Sequence, residues 1–191
     1  MAGAGQHGTA ERSLVVNSDR SIVDHASGTD DGSTLHCKLR CFEVCCGSAG
    51  LSAALAERRF DCVAIDCKRN RFNAKHAVTN IDISSDGATL IVKQALLQGT
   101  AALLFIAAPC GTATKAREIP ITGKQLQALM GRAPIPLRSS AYPWGLPSIK
   151  GFDLTKLNKA NAVYVALGEL VDFAVLHDIP TALENPRGSY F

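Results

Sequence analysis

The chain has 191 residues, of which 47% are hydrophobic, with a formal net charge of +3 and a pI near 8.5. That length builds one globular core rather than two, and so mild a charge leaves the question of a polyanionic partner to the distribution of the cations. Seven cysteines, an odd number with no secretory leader before them, and no apolar run near the ~18 residues of a membrane span argue against a secreted disulfide scaffold and a membrane protein. The composition predicts a soluble intracellular protein of a reducing compartment, nucleus and cytoplasm fitting equally well. No C-x-x-C pair or His pair completes a zinc set, so no metal site is expected.

Residues 1–38 are rich in Gly, Ser, Thr and Asp, and their only apolar clusters are Leu14-Val15-Val16 and Ile22-Val23. So little apolar surface cannot offset the entropy of ordering, which predicts a disordered tail. From Cys41 onward short apolar runs alternate with helix-like stretches, the pattern of an α/β domain over 39–191 with a mostly parallel sheet. The first strand is expected at Cys41 to Cys45, followed by the turn Cys46-Gly47-Ser48-Ala49-Gly50. A helix from about Leu51 to Arg59 comes next, with Leu51, Ala54 and Leu55 on one face. A second strand covers Cys62 to Asp66, and a third apolar run covers Val78 to Ile83. Ser84, Ser85 and Asp86 then offer N-terminal caps to a helix in which Ala88, Ile91, Val92, Ala95 and Leu96 repeat at helical spacing, and Gly99 is placed to cap its end.

Ala101 to Ala107 is apolar throughout and predicts a strand covered on both faces. The segment 111–151 holds Pro120, Pro134, Pro136, Pro143 and Pro147, with periodicity only near Lys124 to Leu129, and is expected to be a long functional loop. Leu157, Ala160, Tyr164, Leu167, Val171 and Ala174 step by three and four, marking a long amphipathic helix that fades at His177 before Pro180. Thr181 to Leu183 is the fifth strand expected, ending in Glu184-Asn185-Pro186.

Three clusters carry chemistry. A glycine turn between strand and helix lets the backbone come close to a ligand, and Asp66, at the end of the next strand, has the reach of a carboxylate that binds ribose hydroxyls. Pro109-Cys110 follows the fourth strand, where ligands bind in open α/β sheets, and Lys115 and Arg117 lie close by as cations able to favour a thiolate. Glu184, at the end of the fifth strand, supplies a carboxylate for proton transfer to a base. The turn has neither a G-x-G-x-x-G run nor a Walker lysine, which separates it from pyrophosphate-binding loops.

The runs CFEVCCGSAGLSAAL (Cys41 to Leu55) and DCVAID (Asp61 to Asp66) resemble the first two motifs of S-adenosylmethionine-dependent methyltransferases. Ala108-Pro109-Cys110 and Glu184-Asn185-Pro186 resemble the Pro-Cys and Glu-Asn motifs of the DNA cytosine-5 members, and the motifs occur in that family's order. The resemblance implies a Rossmann-like methyltransferase fold that binds S-adenosylmethionine and acts on DNA or RNA. It also implies a role for each matching residue. Cys45, Cys46, Gly47, Ser48, Ala49, Gly50 and Leu51 would hold the methionine part of the cofactor, Asp66 its ribose, and Asp82 and Pro109 would flank it. Cys110 would add to carbon 6 of cytosine, and Glu184 would engage the ring nitrogen. Lys115, Arg117, Asn185 and Pro186 would lie on the substrate side. Cys45 stands where these enzymes usually carry Phe, Ala49 where they carry Gly, and Gly111 where Gln often follows the Cys.

The chain stops at Phe191, after the fifth strand, whereas the family continues with further strands and a target-recognition domain. The expectation is therefore a front half that binds cofactor but methylates slowly or not at all without a C-terminal half or a partner. Lys115, Arg117, Lys124, Arg132, Arg138, Lys150, Lys156 and Lys159, interleaved with Tyr142 and Trp144, suit a nucleic-acid backbone and base stacking. Two rival readings are a non-catalytic cofactor- or nucleic-acid-binding relic and a cysteine-dependent redox or thiol enzyme using Cys45, Cys46 and Cys110.

Overall fold

The computed structural model describes residues 39–190, apart from 69, 71, 125, 126, 128 and 130–133. The expected tail and Arg132 lie outside the described residues, as do 125, 126 and 128 of the expected turn of helix near Lys124. Five parallel strands form one sheet: β1 (Arg40–Val44), β2 (Asp61–Asp66), β3 (Val78–Asn80), β4 (Ala101–Ala107) and β5 (Thr181–Glu184), in the order β3-β2-β1-β4-β5. Among the described residues three α-helices accompany them: α1 (Gly50–Ala56), α2 (Ala88–Leu97) and α3 (Gly151–Leu176). This α/β order is compatible with a Rossmann-like fold. Strand order runs outward one way from β1 to β3 and the other way from β4 to β5, so the switch point, where such sheets open a crevice, lies between β1 and β4.

Side chains alternate between the two faces of each strand. Phe42, Val44, Ile65, Leu104 and Ile106 face one side, where Val92 and Leu96 of α2 and Leu167, Leu170 and Ala174 of α3 complete the main core. The opposite face carries Glu43 and Ala64 beneath α1, which packs on β1 and β2. β4 is bonded on both edges, as its apolar run predicts, and β5 is the outer strand, with Leu183 56% exposed.

Two helix ends differ from expectation. Neither serine nor Asp86 caps α2: Gly87 occupies the cap position at φ 75°, and the side chains of Ser84 and Ser85 are turned back onto Asp82. Gly99 does not adopt the left-handed conformation either, because α2 closes through Gln98, whose N–H donates to the Gln94 carbonyl. At the end of α3 Asp178 is left-handed at φ 53°, and the Ile179 N–H reaches back to the Ala174 carbonyl at 2.9 Å, closing the last turn before Pro180.

Leu170 is wholly buried between α3 and the sheet. Leu170→Ala is expected to lower unfolding free energy by about 2–5 kcal/mol. The half-exposed Val165, one and a half turns earlier, should change it by less than about 0.5 kcal/mol when truncated to Ala. Urea denaturation of both variants checks the pair.

Candidate functional site

The register fixes which residues meet at the carboxyl end of the sheet. Val44 pairs with Ile65 and with Ile106, Asp66 with Asn80, and Ala107 with Glu184. Asp66, Ala107 and Glu184 therefore sit in the same row, one residue beyond Val44. With neighbouring strands about 4.8 Å apart, Asp66 and Glu184 stand on the order of 14 Å from one another along that edge. The β1–α1 turn and the Pro109-Cys110 turn occupy the interval.

The β1–α1 turn is wound tightly. Cys45, Gly47 and Ala49 all have positive φ, at 58°, 53° and 51°. Gly47 suits this conformation, whereas each residue with a Cβ there costs about 1–2 kcal/mol. Ala49 thus stands in a conformation that glycine adopts without cost. Several contacts hold the turn in shape. The Gly47 N–H donates to the Asp66 carboxylate at 2.8 Å, the Cys67 N–H donates to its other oxygen at 2.7 Å, and the Asn70 amide donates to the Gly47 carbonyl. The Lys75 N–H donates to the Ser48 carbonyl at 2.8 Å. Beneath the turn the buried Glu43 carboxylate accepts from both the N–H and the hydroxyl of Ser52, at 2.7 and 2.6 Å, pinning the first turn of α1 to the centre of the sheet. Glu43 was legible as a charge within the apolar run Cys41 to Cys45, yet sequence reasoning passed over it. Gly50 and Leu51 open α1 itself.

Burial, then the nearby Asp66 carboxylate, push the Cys45 and Cys46 thiols up to about 12, with Cys67 and Asp82 adding to the effect at Cys45 and Glu43 at Cys46. Both remain thiols at neutral pH. Asp82, expected to flank the cofactor, is engaged within the fold: one oxygen accepts from the Ser84 hydroxyl and N–H, and the other meets Lys159 of α3 at 3.1 Å. These bonds, Ser84 first and Lys159 after it, hold its carboxyl below the usual range.

After β4, Cys110–Thr112 and Lys115–Glu118 form two short 3₁₀ turns. Cys110 is half-buried, and its carbonyl accepts from the N–H groups of Ala113 and Thr114. The turn is gripped from several sides. The Tyr164 hydroxyl of α3 donates to the Pro109 carbonyl at 2.7 Å, and Arg117 donates to the carbonyls of Gly111 and Ile135. Residues following Glu184 return to it: Thr114 bridges Ser189, the Lys115 N–H donates to Gly188, and the Tyr190 N–H donates to Ala113. Arg117 thus braces the loop, and Lys115 places its ammonium 5.4 Å from the Tyr190 ring centroid.

Glu184 and Pro186 are exposed, and Asn185 is half-buried. Asn185 also lines a groove of about 280 Å³ with Ala108, Trp144, Tyr164 and Leu183, behind the Pro-Cys turn.

The segment expected as a basic loop is partly a folded unit, with Leu137, Ile149 and Leu157 forming a small core of their own. Arg138 departs most from expectation. Counted among the surface cations, it is 1% exposed, donating to the Thr112 hydroxyl at 3.0 Å and the Pro143 carbonyl at 2.6 Å. Its guanidinium lies 5.6 Å from the Tyr164 ring centroid. Its flanking leucine and serines gave no sign of this. Lys115, Lys124, Lys150, Lys156 and Lys159 are exposed as expected, with Tyr142 and Trp144. Among the described residues no cluster of His, Cys, Asp and Glu could hold a metal, and no helix is long and apolar enough to cross a membrane. No family model, curated protein or solved structure matches the chain.

Because Asp82 has a lowered pKa in the folded state, its contribution to stability is present above the pKa of the unfolded chain and lost as pH falls through the lower folded value. Asp82→Asn is expected to lower the melting temperature at pH 7 and to do so much less at pH 3. Melting curves of both proteins at the two pH values check it.

Proposed function

We propose that this chain is a methyltransferase domain of the DNA cytosine-5 type, transferring a methyl group from S-adenosylmethionine to carbon 5 of cytosine by way of a Cys110 adduct. The observation that supports this reading is the row of strand tips: Asp66, the glycine turn, the Pro-Cys turn and Glu184 follow one another along the carboxyl edge of the sheet, two on each side of the switch point between β1 and β4. The residues present suit the cofactor. Gly47 leaves its left-handed turn free of a Cβ, one that would stand 3.6 Å from the Phe72 ring, and the Asp66 carboxylate lies beside the turn with lone pairs left for ribose hydroxyls. When bound, the cofactor supplies an electrophilic methyl group on a sulfonium.

The chain's own residues carry the rest. The Cys110 thiolate forms a bond to carbon 6 of the base, while Glu184 at the ring nitrogen balances the charge that develops there. Carbon 5 would thereby become nucleophilic toward the methyl group that the bound cofactor supplies, the sulfonium leaving as a thioether. Loss of the carbon-5 proton re-forms the ring double bond and expels Cys110. The exposed lysines, with Tyr142 and Trp144, suit a polynucleotide that presents an extruded base. A thiol-redox function of the Cys45-Cys46 pair fits less well, because such chemistry needs a depressed pKa and theirs are raised.

S-adenosylhomocysteine is expected to stabilise the chain by about 2.7 kcal/mol at a hundredfold excess over its dissociation constant, and Asp66→Ala to diminish that response. Absence of any calorimetric or melting shift would remove the cofactor assignment. Tritiated cofactor with mixed DNA tests the chemistry itself: incorporation should vanish in Cys110→Ser. Cofactor binding without incorporation points to the relic reading, and incorporation that survives Cys110→Ser points to another acceptor atom.

A further inference from the structure

Arg138 and Tyr164 play no part in the chemistry just described, yet both reach the Pro-Cys turn, Arg138 from a buried position and Tyr164 from a half-buried one. Tyr164 holds the carbonyl of Pro109, immediately before Cys110, and Arg138 holds the hydroxyl of Thr112, two residues after it. Thr112 is itself 4% exposed, and Arg138 is tied at its other end to the Pro143 carbonyl. Cation and ring complete the link between the two side chains. The segment around Cys110 is thus held at the Pro109 carbonyl on one side and at the Thr112 side chain on the other, by residues from two separate parts of the chain, the start of the 134–150 segment and the middle of α3.

Burying a guanidinium is expensive, and the desolvation shows in an Arg138 pKa held below its ordinary value. Leu137, its neighbour, already anchors the same segment in an apolar cluster with Ile149 and Leu157. What Arg138 adds is direction: a planar fork reaches Thr112 and Pro143 at once, which a lysine's single ammonium on a flexible stem does not reproduce.

We propose that Arg138 and Tyr164 are positioning residues for Cys110, forming a brace that sets where its thiol stands relative to the crevice. The inference rests on the reading of Cys110 as the nucleophile, but its test does not depend on methyl transfer. A nucleophile displaced by about 1 Å loses on the order of a hundredfold in rate, so small shifts of the turn matter.

The experiment uses the full chain and three variants chosen for mildness: Tyr164→Phe, which keeps the ring and removes the hydroxyl; Thr112→Val, which keeps the shape; and Arg138→Lys, which keeps the charge. Alkylation by iodoacetamide is followed at Cys110 and, as an internal control, at the half-buried Cys67, by mass spectrometry of the peptides, alongside melting temperature. Each variant is expected to change the Cys110 rate by about fivefold or more while Cys67 stays within about twofold. Arg138→Lys should fail to rescue. Where the wild-type chain methylates DNA, kcat should fall by about tenfold or more with cofactor affinity unchanged.

Cys110 rates equal to wild type in Tyr164→Phe and Thr112→Val would overturn the brace, whatever happens to the melting temperature. So would equal changes at Cys110 and Cys67, which report general loosening. Altered Cys110 rates in a chain that neither responds to S-adenosylhomocysteine nor transfers a methyl group would uphold the brace and overturn the methyltransferase reading alone.

Discussion

A strand bonded to parallel neighbours on both edges has no backbone donor or acceptor left along its length, and its side chains are committed to two packed faces. β1 and β4 are in that position, so polar chemistry is driven to the places where they end. The candidate site follows from this constraint. Its candidate residues are attached to strand tips: the glycine turn to β1, Asp66 to β2, Asp82 beyond β3, Cys110 beyond β4 and Glu184 at the end of β5. Glu43 is the exception within β1, and it is tolerated because Ser52 satisfies it where α1 begins.

The tips are held by different means. The β1–α1 turn stores backbone strain at Cys45 and Ala49, roughly 1–2 kcal/mol each, and persists because its neighbours overdetermine it through Asp66, Asn70 and Lys75. The Pro-Cys turn carries no positive φ from Ala108 to Glu118 and relies on side chains reaching in from outside. One is a strained turn clamped by Asp66, Asn70 and Lys75 from the end of β2 and the β2–β3 connection. The other is a soft segment shaped by its surroundings. Substitutions should therefore act differently in the two: near the first mainly through conformational strain, near the second through remote residues.

Strands and helices were largely legible because their cause is local. The apolar run Ala101–Ala107 is β4 to the residue, and the three-four spacing from Leu157 to Ala174 lies within α3. Helix ends were less legible, since Gly87 displaced Ser84, Ser85 and Asp86 as the cap of α2 once those serines turned toward Asp82. The grouping of the motifs at one edge could be anticipated from their order, because a parallel sheet brings strand ends together. Arg138 could not. A cation between Leu137 and Ser139 reads as surface in one dimension, and only the approach of the 134–150 segment to Thr112 and Tyr164, 26 residues away in one direction and 26 in the other, takes it out of water. Tyr164 was visible as part of a helical stripe, but its hydroxyl partner was not.

The long helix has a further consequence. α3 touches the region beyond β3 through Lys159 and the region beyond β4 through Tyr164, two points five residues apart on one rod and so about 7.5 Å apart along its axis. A helix of this length is stiff against stretching. Any sliding or rolling of α3 is therefore delivered to Asp82 and Pro109 together, as a seesaw passes motion between its two riders. One rigid rod thus contacts both flanks of the carboxyl edge of the sheet.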